Sequence, residues 1–83
     1  MNMRTHGLTI EVDLHGMTVR EAERELSRIL GAADKRIVEV VVIHGHTGGT
    51  ALRDFVRKDF RHRRVTQRIL SMNPGVTSLM LRP

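Results

Sequence analysis

Residues 37–43 (IVEVVVI) are almost entirely β-branched, a pattern typical of a central β-strand. Upstream, residues 8–14 (LTIEVDL) alternate strictly between apolar and polar side chains, which predicts a strand with one buried face. Between these two segments, apolar residues recur every three or four positions over residues 19–33, as they do in an amphipathic helix. The chain therefore begins as a β-α-β unit, whose two parallel strands are joined by a right-handed crossover.

The second half of the chain continues this order of elements. Apolar spacing predicts a second helix over residues 51–62, and two further strands follow at Val65–Leu70 and Val76–Leu81, joined by a turn that contains proline and glycine. The predicted order is β-α-β-α-β-β. This order defines an α/β fold, an α+β two-layer sandwich in which two helices cover one face of a mixed four-stranded sheet.

The length of 83 residues and an apolar fraction of 40% are those of one small globular domain, and they exclude a disordered chain. The sequence contains no cysteine, which excludes a disulfide framework, a thiolate zinc site and a cysteine nucleophile. We expect a single domain over residues 8–83, preceded by an N-terminal tail of residues 1–7. No segment has the pattern of a secretory signal or is apolar for long enough to cross a membrane, so the cytoplasm is the expected location.

Basic residues are concentrated in the second half of the sequence. Residues 1–52 carry a net charge of −1, whereas residues 53–83 carry +6. This asymmetry favours a polyanionic partner, most commonly a nucleic acid, with a solvated basic surface as the alternative. The sequence has no Trp or Tyr, and the helical spacing of Phe55 and Phe60 predicts a place in the core rather than a base-stacking platform. Contact with a nucleic acid is therefore expected through phosphates and shape.

Two loops are predicted to meet at one edge of the sheet, because the carboxyl ends of parallel strands lie side by side. One loop follows the first strand and contains Asp13 and His15; the other is the glycine-rich segment 44–49 (HGHTGG), which leads into the second helix. Free amides and the dipole at the start of that helix favour an anion, such as a substrate phosphate. The residues expected to bind substrate are His44, Gly45, His46, Thr47, Gly48, Gly49, Arg53 and Arg57.

Histidine gains and loses a proton near neutral pH, and it therefore suits acid–base chemistry on a phosphodiester. We expect His15 to transfer a proton and Asp13 to orient or activate it. RNA suits this chemistry, because its 2′-hydroxyl can act as the nucleophile once a histidine has removed its proton. Carboxylates are scarce at this edge, so no cofactor is expected; a divalent metal held by Asp13, His44 and His46 is a minor alternative. Three of these residues also have structural alternatives: Asp13 as a turn-closing acceptor, His15 as a turn residue bonded to Asp13, and His44 as a buried histidine.

The sequence resembles the Smr (small MutS-related) domain family over residues 8–82. The positions that carry the resemblance are residues 12–16 (VDLHG), residues 42–49 (VIHGHTGG), Leu52 and Arg53. The resemblance implies a β-α-β-α-β-β domain similar to the C-terminal domain of bacterial translation initiation factor three. It also implies nicking of DNA or cleavage of RNA, including mRNA on stalled ribosomes, with Asp13 and His15 in the catalytic motif.

Three functions stay open at the level of the sequence. The first is a phosphodiesterase that acts on RNA or DNA through Asp13 and His15. The second is a non-catalytic module that binds nucleic acid or the ribosome with the same surface, and the third is a protein-interaction domain with no polyanionic partner. The steep salt dependence of phosphate contacts separates the third function from the first two. Loss of cleavage with retained affinity, on substitution of His15, separates the first from the second.

Overall fold

The computed structural model describes residues 2–46 and 50–83 of the chain. Within these ranges the fold consists of a five-stranded sheet, one long helix and one short helical segment. The elements in chain order are β1 (Asn2–His6), β2 (Thr9–Asp13), α1 (Val19–Ala32), β3 (Glu39–Ile43), α2 (Ala51–Asp54) with its π-helical continuation (Phe55–Asp59), β4 (Val65–Leu70) and β5 (Val76–Leu81). In the same described part of the chain, no helix is long and apolar enough to cross a membrane.

The strands lie in the order β1-β2-β3-β5-β4. β2 and β3 pair in parallel, with Asp13 opposite Ile43 at their carboxyl ends, and the other neighbouring pairs are antiparallel. The parallel pair confirms the predicted crossover through α1, and the β4–β5 hairpin supplies the antiparallel part of the predicted mixed sheet. The predicted fold class is therefore confirmed.

The predicted strand number is wrong: the described residues contain five strands rather than four, because residues 2–6 of the predicted tail form β1 along β2. A two-residue turn joins β1 to β2, and its first residue, Gly7, has a positive φ of 59° that favours glycine. The sequence of β1, NMRTH, lacks the apolar alternation that reveals a strand, because β1 is exposed along its whole length. An ion pair of 2.7 Å between Arg4 Nη2 and Glu11 Oε1 bridges the hairpin.

One face of the sheet packs against the helical layer and forms the apolar core. Alternate residues of β2, β3 and β5 are buried in it, and the polar residues between them on β2 lie half-buried on the opposite face. The side chains of Phe55 and Phe60 lie in this core, with ring centroids 5.7 Å apart, which confirms their predicted role. The buried apolar residues are Ile10, Val12, Leu14, Ala22, Leu26, Ile29, Leu30, Ile37, Val40, Val42, Phe55, Val56, Phe60, Leu79 and Leu81.

The second helix is shorter and less regular than predicted. Instead of a helix over residues 51–62, α2 is followed by a π-helical turn that ends at Asp59. The amide of Phe60 donates to the carbonyl of Phe55 at 2.8 Å, an i→i+5 bond that widens the turn. The wider turn brings Phe55 and Phe60 to the same side of the segment, where both are buried.

Side chains cap both ends of α1. The hydroxyl of Thr18 accepts from the amide of Glu21 at 3.1 Å, and the Glu21 carboxylate accepts from the amide of Thr18 at 2.9 Å. At the other end, the guanidinium of Arg64 donates to the carbonyls of Leu30 and Ala33 at 2.9 and 2.7 Å. The carboxyl end of a helix carries partial negative charge, so this cation compensates both its charge and its unpaired carbonyls.

Candidate active site

The carboxyl ends of β2 and β3 bring the two predicted loops together. The amide of Leu14 extends the pairing beyond the strands by donating to the carbonyl of Ile43 at 2.8 Å. Both chains then turn at a glycine with positive φ, Gly16 at 83° and Gly45 at 76°. An ideal Cβ added to Gly45 would lie 3.5 Å from Cβ of His15, so the histidine lies against the second loop.

Asp13 and His15 form a hydrogen-bonded pair. Oδ1 of Asp13 lies 2.5 Å from Nδ1 of His15 and also accepts from the backbone amide of His15 at 3.1 Å. The hydrogen bond from the His15 ring is the main cause that lowers the pKa of Asp13 below 3.8. Asp13 is therefore an ionised acceptor, and the shared proton belongs to Nδ1 of His15.

This pairing fixes what His15 can do. With a proton on Nδ1, the neutral imidazole keeps the lone pair of Nε2 for another donor. The side chain of His15 is 71% exposed, whereas that of Asp13 is 28% exposed. Asp13 therefore has two roles: its carboxylate closes the turn by accepting from the backbone amide of His15, and it orients an imidazole that is exposed to solvent.

A surface concavity of about 470 Å³ lies beside this pair. Its lining residues are Asn2, Asp13, His15, Gly16, Met17 and Glu21. Sequence reasoning missed Asn2, because β1 was assigned to the tail; register places Asn2 opposite Asp13. The Glu21 carboxylate at the same concavity is held by the capping box of α1, and the backbone hydrogen bond from Thr18 is the main cause that lowers its pKa.

His44 is buried and takes part in a chain of hydrogen bonds. Its Nδ1 lies 2.8 Å from the carbonyl of Gly45, which can only accept, so Nδ1 carries the proton. Nε2 therefore accepts from the hydroxyl of Thr77 at 2.9 Å, and that hydroxyl accepts in turn from Nε of Arg57 at 2.8 Å. Burial lowers the pKa of His44, which keeps the ring neutral and the direction of the chain fixed.

Arg57 lies beneath the site rather than on its surface. Besides Thr77, its guanidinium donates from Nη2 to the carbonyl of Val76 at 2.9 Å. The half-buried cation thus ties the helical layer to the start of β5. Arg57 and His44, both predicted to bind substrate, are placed by the structure where they support the second loop.

The start of the second loop is also bonded within the protein. The carbonyl of Gly75 accepts from the amides of His44 and Gly45 at 2.9 and 3.0 Å. Gly75 packs closely on this turn, since a Cβ added to it would lie 3.2 Å from Cα of Gly45. The amide of Gly45, expected to face a phosphate, thus faces another turn, while the predicted ligands Thr47, Gly48 and Gly49 lie outside the described residues.

His46 and Arg53 complete the predicted set. His46 is exposed, and its ring lies near the Gly75 turn, with Cδ2 3.4 Å from the position of a Cβ on that glycine. Nε of Arg53 lies 3.4 Å from Oδ1 of Asp54, and 31% of the arginine side chain is exposed. Within residues 2–46 and 50–83, no group of three or more His, Asp or Glu side chains is placed to hold a metal ion.

The fold agrees with the comparisons to known proteins. The Smr domain profile matches residues 12–78, more than half of the chain. The chain therefore belongs to the Smr domain family, a nucleic-acid-binding, nuclease-related family. It is similar to the crystal structure of the Smr domain of Thermus thermophilus MutS2, with 34% sequence identity and a TM-score of 0.68 over 88% of this chain and 98% of that one. Comparison with curated proteins gives no match.

Proposed function

We propose that this chain is an endonuclease that cleaves phosphodiester bonds in RNA or DNA, with Asp13 and His15 as its catalytic pair. The observation that carries the proposal is the 2.5 Å contact between Oδ1 of Asp13 and Nδ1 of His15, on an imidazole that is 71% exposed. An ionised carboxylate on one ring nitrogen leaves the other as an oriented base at the protein surface. Membership of a nuclease-related family supports the same function.

On RNA the reaction proceeds through the 2′-hydroxyl. Nε2 of His15 takes the proton of that hydroxyl, the oxygen bonds to phosphorus, and the bond from phosphorus to the 5′ oxygen breaks. The leaving oxygen takes a proton from solvent, and the imidazolium that forms is stabilised by Asp13. On DNA, which lacks the 2′-hydroxyl, His15 activates a water molecule instead. A positioned base of this kind contributes about 10²–10⁴-fold to the rate.

The substrate is bound by exposed groups in and next to the second loop. His46 is exposed beside the Gly75 turn, and Arg53 follows the loop in α2. Residues 47–49 belong to the same proposed surface. The net charge of +6 over residues 53–83 attracts the phosphate backbone to this half of the molecule. We expect the protein to act in the cytoplasm, where RNA, including RNA on ribosomes, and DNA are both accessible.

A non-catalytic nucleic-acid or ribosome-binding module is the second candidate, and two observations favour it. The amide of Gly45 donates to the carbonyl of Gly75, and the guanidinium of Arg57 donates to Thr77 and Val76. Both groups are predicted to bind a phosphate, but in the structure both donate hydrogen bonds to other residues of the protein.

Cleavage assays with His15→Ala distinguish the two candidates. The control is His6→Ala, since His6 is an exposed histidine that pairs with Thr9 at the other end of the β1–β2 hairpin. Labelled RNA and DNA strands are incubated with each protein, with and without a chelator. An endonuclease loses at least about 10²-fold in rate with His15→Ala, keeps its affinity, and is unchanged by His6→Ala. Equal cleavage by wild type and His15→Ala contradicts the catalytic role, and binding without any cleavage by the wild type assigns the binding module.

A further inference from the structure

A second basic surface lies at the opposite end of the sheet from the candidate active site. The active site lies at the start of β5, where Val76 pairs with Ile43, whereas β5 ends at Leu81. The five residue steps of β5 span about 17 Å at the usual rise of a strand. The chain segments that follow α1 and β5 meet at that distal end.

The distal end contains a concavity of about 550 Å³. Its lining residues are Gly31, Lys35, Arg63, Arg64, Arg82 and Pro83. Four of these residues are cations, here called the distal basic cluster: Lys35, Arg63, Arg64 and Arg82. They come from three segments far apart in sequence, so the cluster is a product of the fold rather than of a basic run.

Backbone and side-chain bonds hold the cluster together through Arg64. Its guanidinium caps α1, and its carbonyl accepts from the amide of Arg82 at 2.8 Å. Arg64 is therefore the structural member of the cluster. The side chains of Lys35, Arg63 and Arg82 form no hydrogen bond or ion pair with any other residue that the structure describes.

The carboxylate of Asp34, which precedes Lys35 in the sequence, is already paired. Oδ1 of Asp34 accepts from Nε of Arg36 at 3.1 Å, and the side-chain bond from Arg36 is the main cause that lowers the pKa of Asp34 to about 2. Asp34 thus pairs with Arg36 rather than with Lys35, Arg63 or Arg82. Like charges held together repel one another, and a bound anion would relieve that repulsion.

Exposed cations continue from the cluster towards the active site. The segment formed by α2 and its π-helical turn runs from the second loop to the distal end. Lys58 is exposed in its last turn, and Arg61 is exposed just beyond it. Arg53 is half-buried at its start, beside the second loop. From Arg53 to Arg61 the stretch contains four basic residues and two acids, Asp54 and Asp59, so its net charge is positive.

We infer that the distal basic cluster is a second phosphate-binding surface for the same nucleic-acid strand that the active site engages, an inference that rests on the proposed function. Arginine is the dominant cation here, and its guanidinium matches a phosphate with two donors. The lining has no aromatic side chain, which fits contact with the backbone rather than with bases. At the rise of about 3.4 Å per nucleotide of a stacked strand, the roughly 17 Å that β5 spans between the two ends of the sheet corresponds to about five nucleotides.

The test compares strands of different length. The variant Lys35→Gln/Arg63→Gln/Arg82→Gln removes the three free cations and keeps the structural Arg64. The control, Arg20→Gln/Arg24→Gln/Arg28→Gln, removes the same charge from α1, where Glu21, Glu23 and Glu25 alternate with the arginines. Affinity for labelled single strands of about 4 and about 16 nucleotides is measured by fluorescence anisotropy over a range of salt concentrations, with thermal unfolding to verify the fold.

The distal variant is expected to bind the long strand at least about tenfold more weakly, with a salt slope reduced by about 2 for three lost phosphate contacts. Its binding and cleavage of the short strand should equal those of the wild type, and the control variant should lose less affinity for the long strand. Equal losses on both lengths, or an unchanged salt slope, overturn the inference. Binding of polyglutamate is measured in parallel, and a distal variant that loses affinity for polyglutamate alone overturns the inference as well, because the partner is then an acidic protein. If the wild type binds neither strand, the proposed function itself fails.

Discussion

His15 lies against the backbone of Gly45, so close that a Cβ on the glycine would be 3.5 Å from Cβ of the histidine. The two residues are 30 positions apart in sequence, and the parallel pairing of β2 and β3 brings them together. The same contact places an exposed imidazole, oriented by Asp13, beside the loop proposed to hold the substrate.

Gly45→Ala is expected to destabilise the protein by about 1–2 kcal/mol, because the residue has a φ of +76° that an L side chain rarely adopts. Cleavage should fall further than the loss of folded protein explains, since the loop beside His15 must shift. Gly31→Ala is the matched control: it lies in α1 with open space around it, and it should gain about 0.5–1 kcal/mol. Denaturant unfolding of both variants measures the contrast, and equal destabilisation would show that the turn at Gly45 imposes no special conformation.

Thr77→Val is expected to cost about 1–3 kcal/mol, because it leaves Nε2 of His44 and Nε of Arg57 without their shared partner. The substitution preserves the shape of the fully buried side chain, so packing is little changed. Thr66→Val removes a hydroxyl that is exposed and donates to the carbonyl of Met80, and it should stay within about 0.5 kcal/mol of the wild type. A Thr77→Val protein as stable as Thr66→Val would mean that the buried chain of hydrogen bonds contributes nothing.

Substitution of Arg63 and substitution of Arg64, which are adjacent in sequence, should differ sharply in their effect on the stability of the protein. Arg64→Ala removes the cap on the carbonyls of Leu30 and Ala33 and is expected to cost about 1.5–3 kcal/mol. Arg63→Ala removes an exposed side chain and should change stability by less than about 0.5 kcal/mol. Thermal unfolding of the two variants at equal ionic strength makes the comparison. Similar melting temperatures for both would contradict the assignment of Arg64 as the structural member of the cluster.

The stabilising effect of Asp13 is expected to depend on pH. Because the hydrogen bond from His15 lowers the pKa of Asp13 in the folded protein below 3.8, its contribution is fully present above that value. The contribution is then lost as the pH falls through the lower, folded pKa. The difference in Tm between wild type and Asp13→Asn should therefore shrink as the pH falls below about pH 4. A difference that stays unchanged below about pH 4 would contradict the bond.

The parts of the structure that the sequence predicted are those governed by local pattern and by topology. The β-branched run at 37–43 predicted the central strand β3, and the alternation at 8–14 predicted β2. Once the crossover was assigned, the approach of the His15 loop to the Gly45 loop followed from parallel pairing alone. Thr18 and Glu21 likewise form the capping box that their spacing encodes.

The parts that escaped prediction depend on contacts between distant residues. Arg57 reaches Thr77 across 20 positions and Arg64 reaches Leu30 across 34, so nothing in the basic run distinguishes these structural arginines from exposed ones. The hydrogen bond that the carbonyl of Gly75 accepts from the amide of Gly45 likewise joins residues that are far apart in sequence. The sequence did not predict β1, because an exposed edge strand needs no alternation of apolar and polar residues.

The most direct test of the account is the position of the proton on the neutral imidazole of His15, measured by nitrogen-15 NMR spectroscopy at a pH where the ring is uncharged. The account predicts a proton on Nδ1 and a free Nε2 in the wild type, because Asp13 accepts from Nδ1. In Asp13→Asn this preference should weaken or reverse, together with the loss of cleavage. A wild-type protein whose proton lies on Nε2 would contradict the account, since no base would then face the substrate.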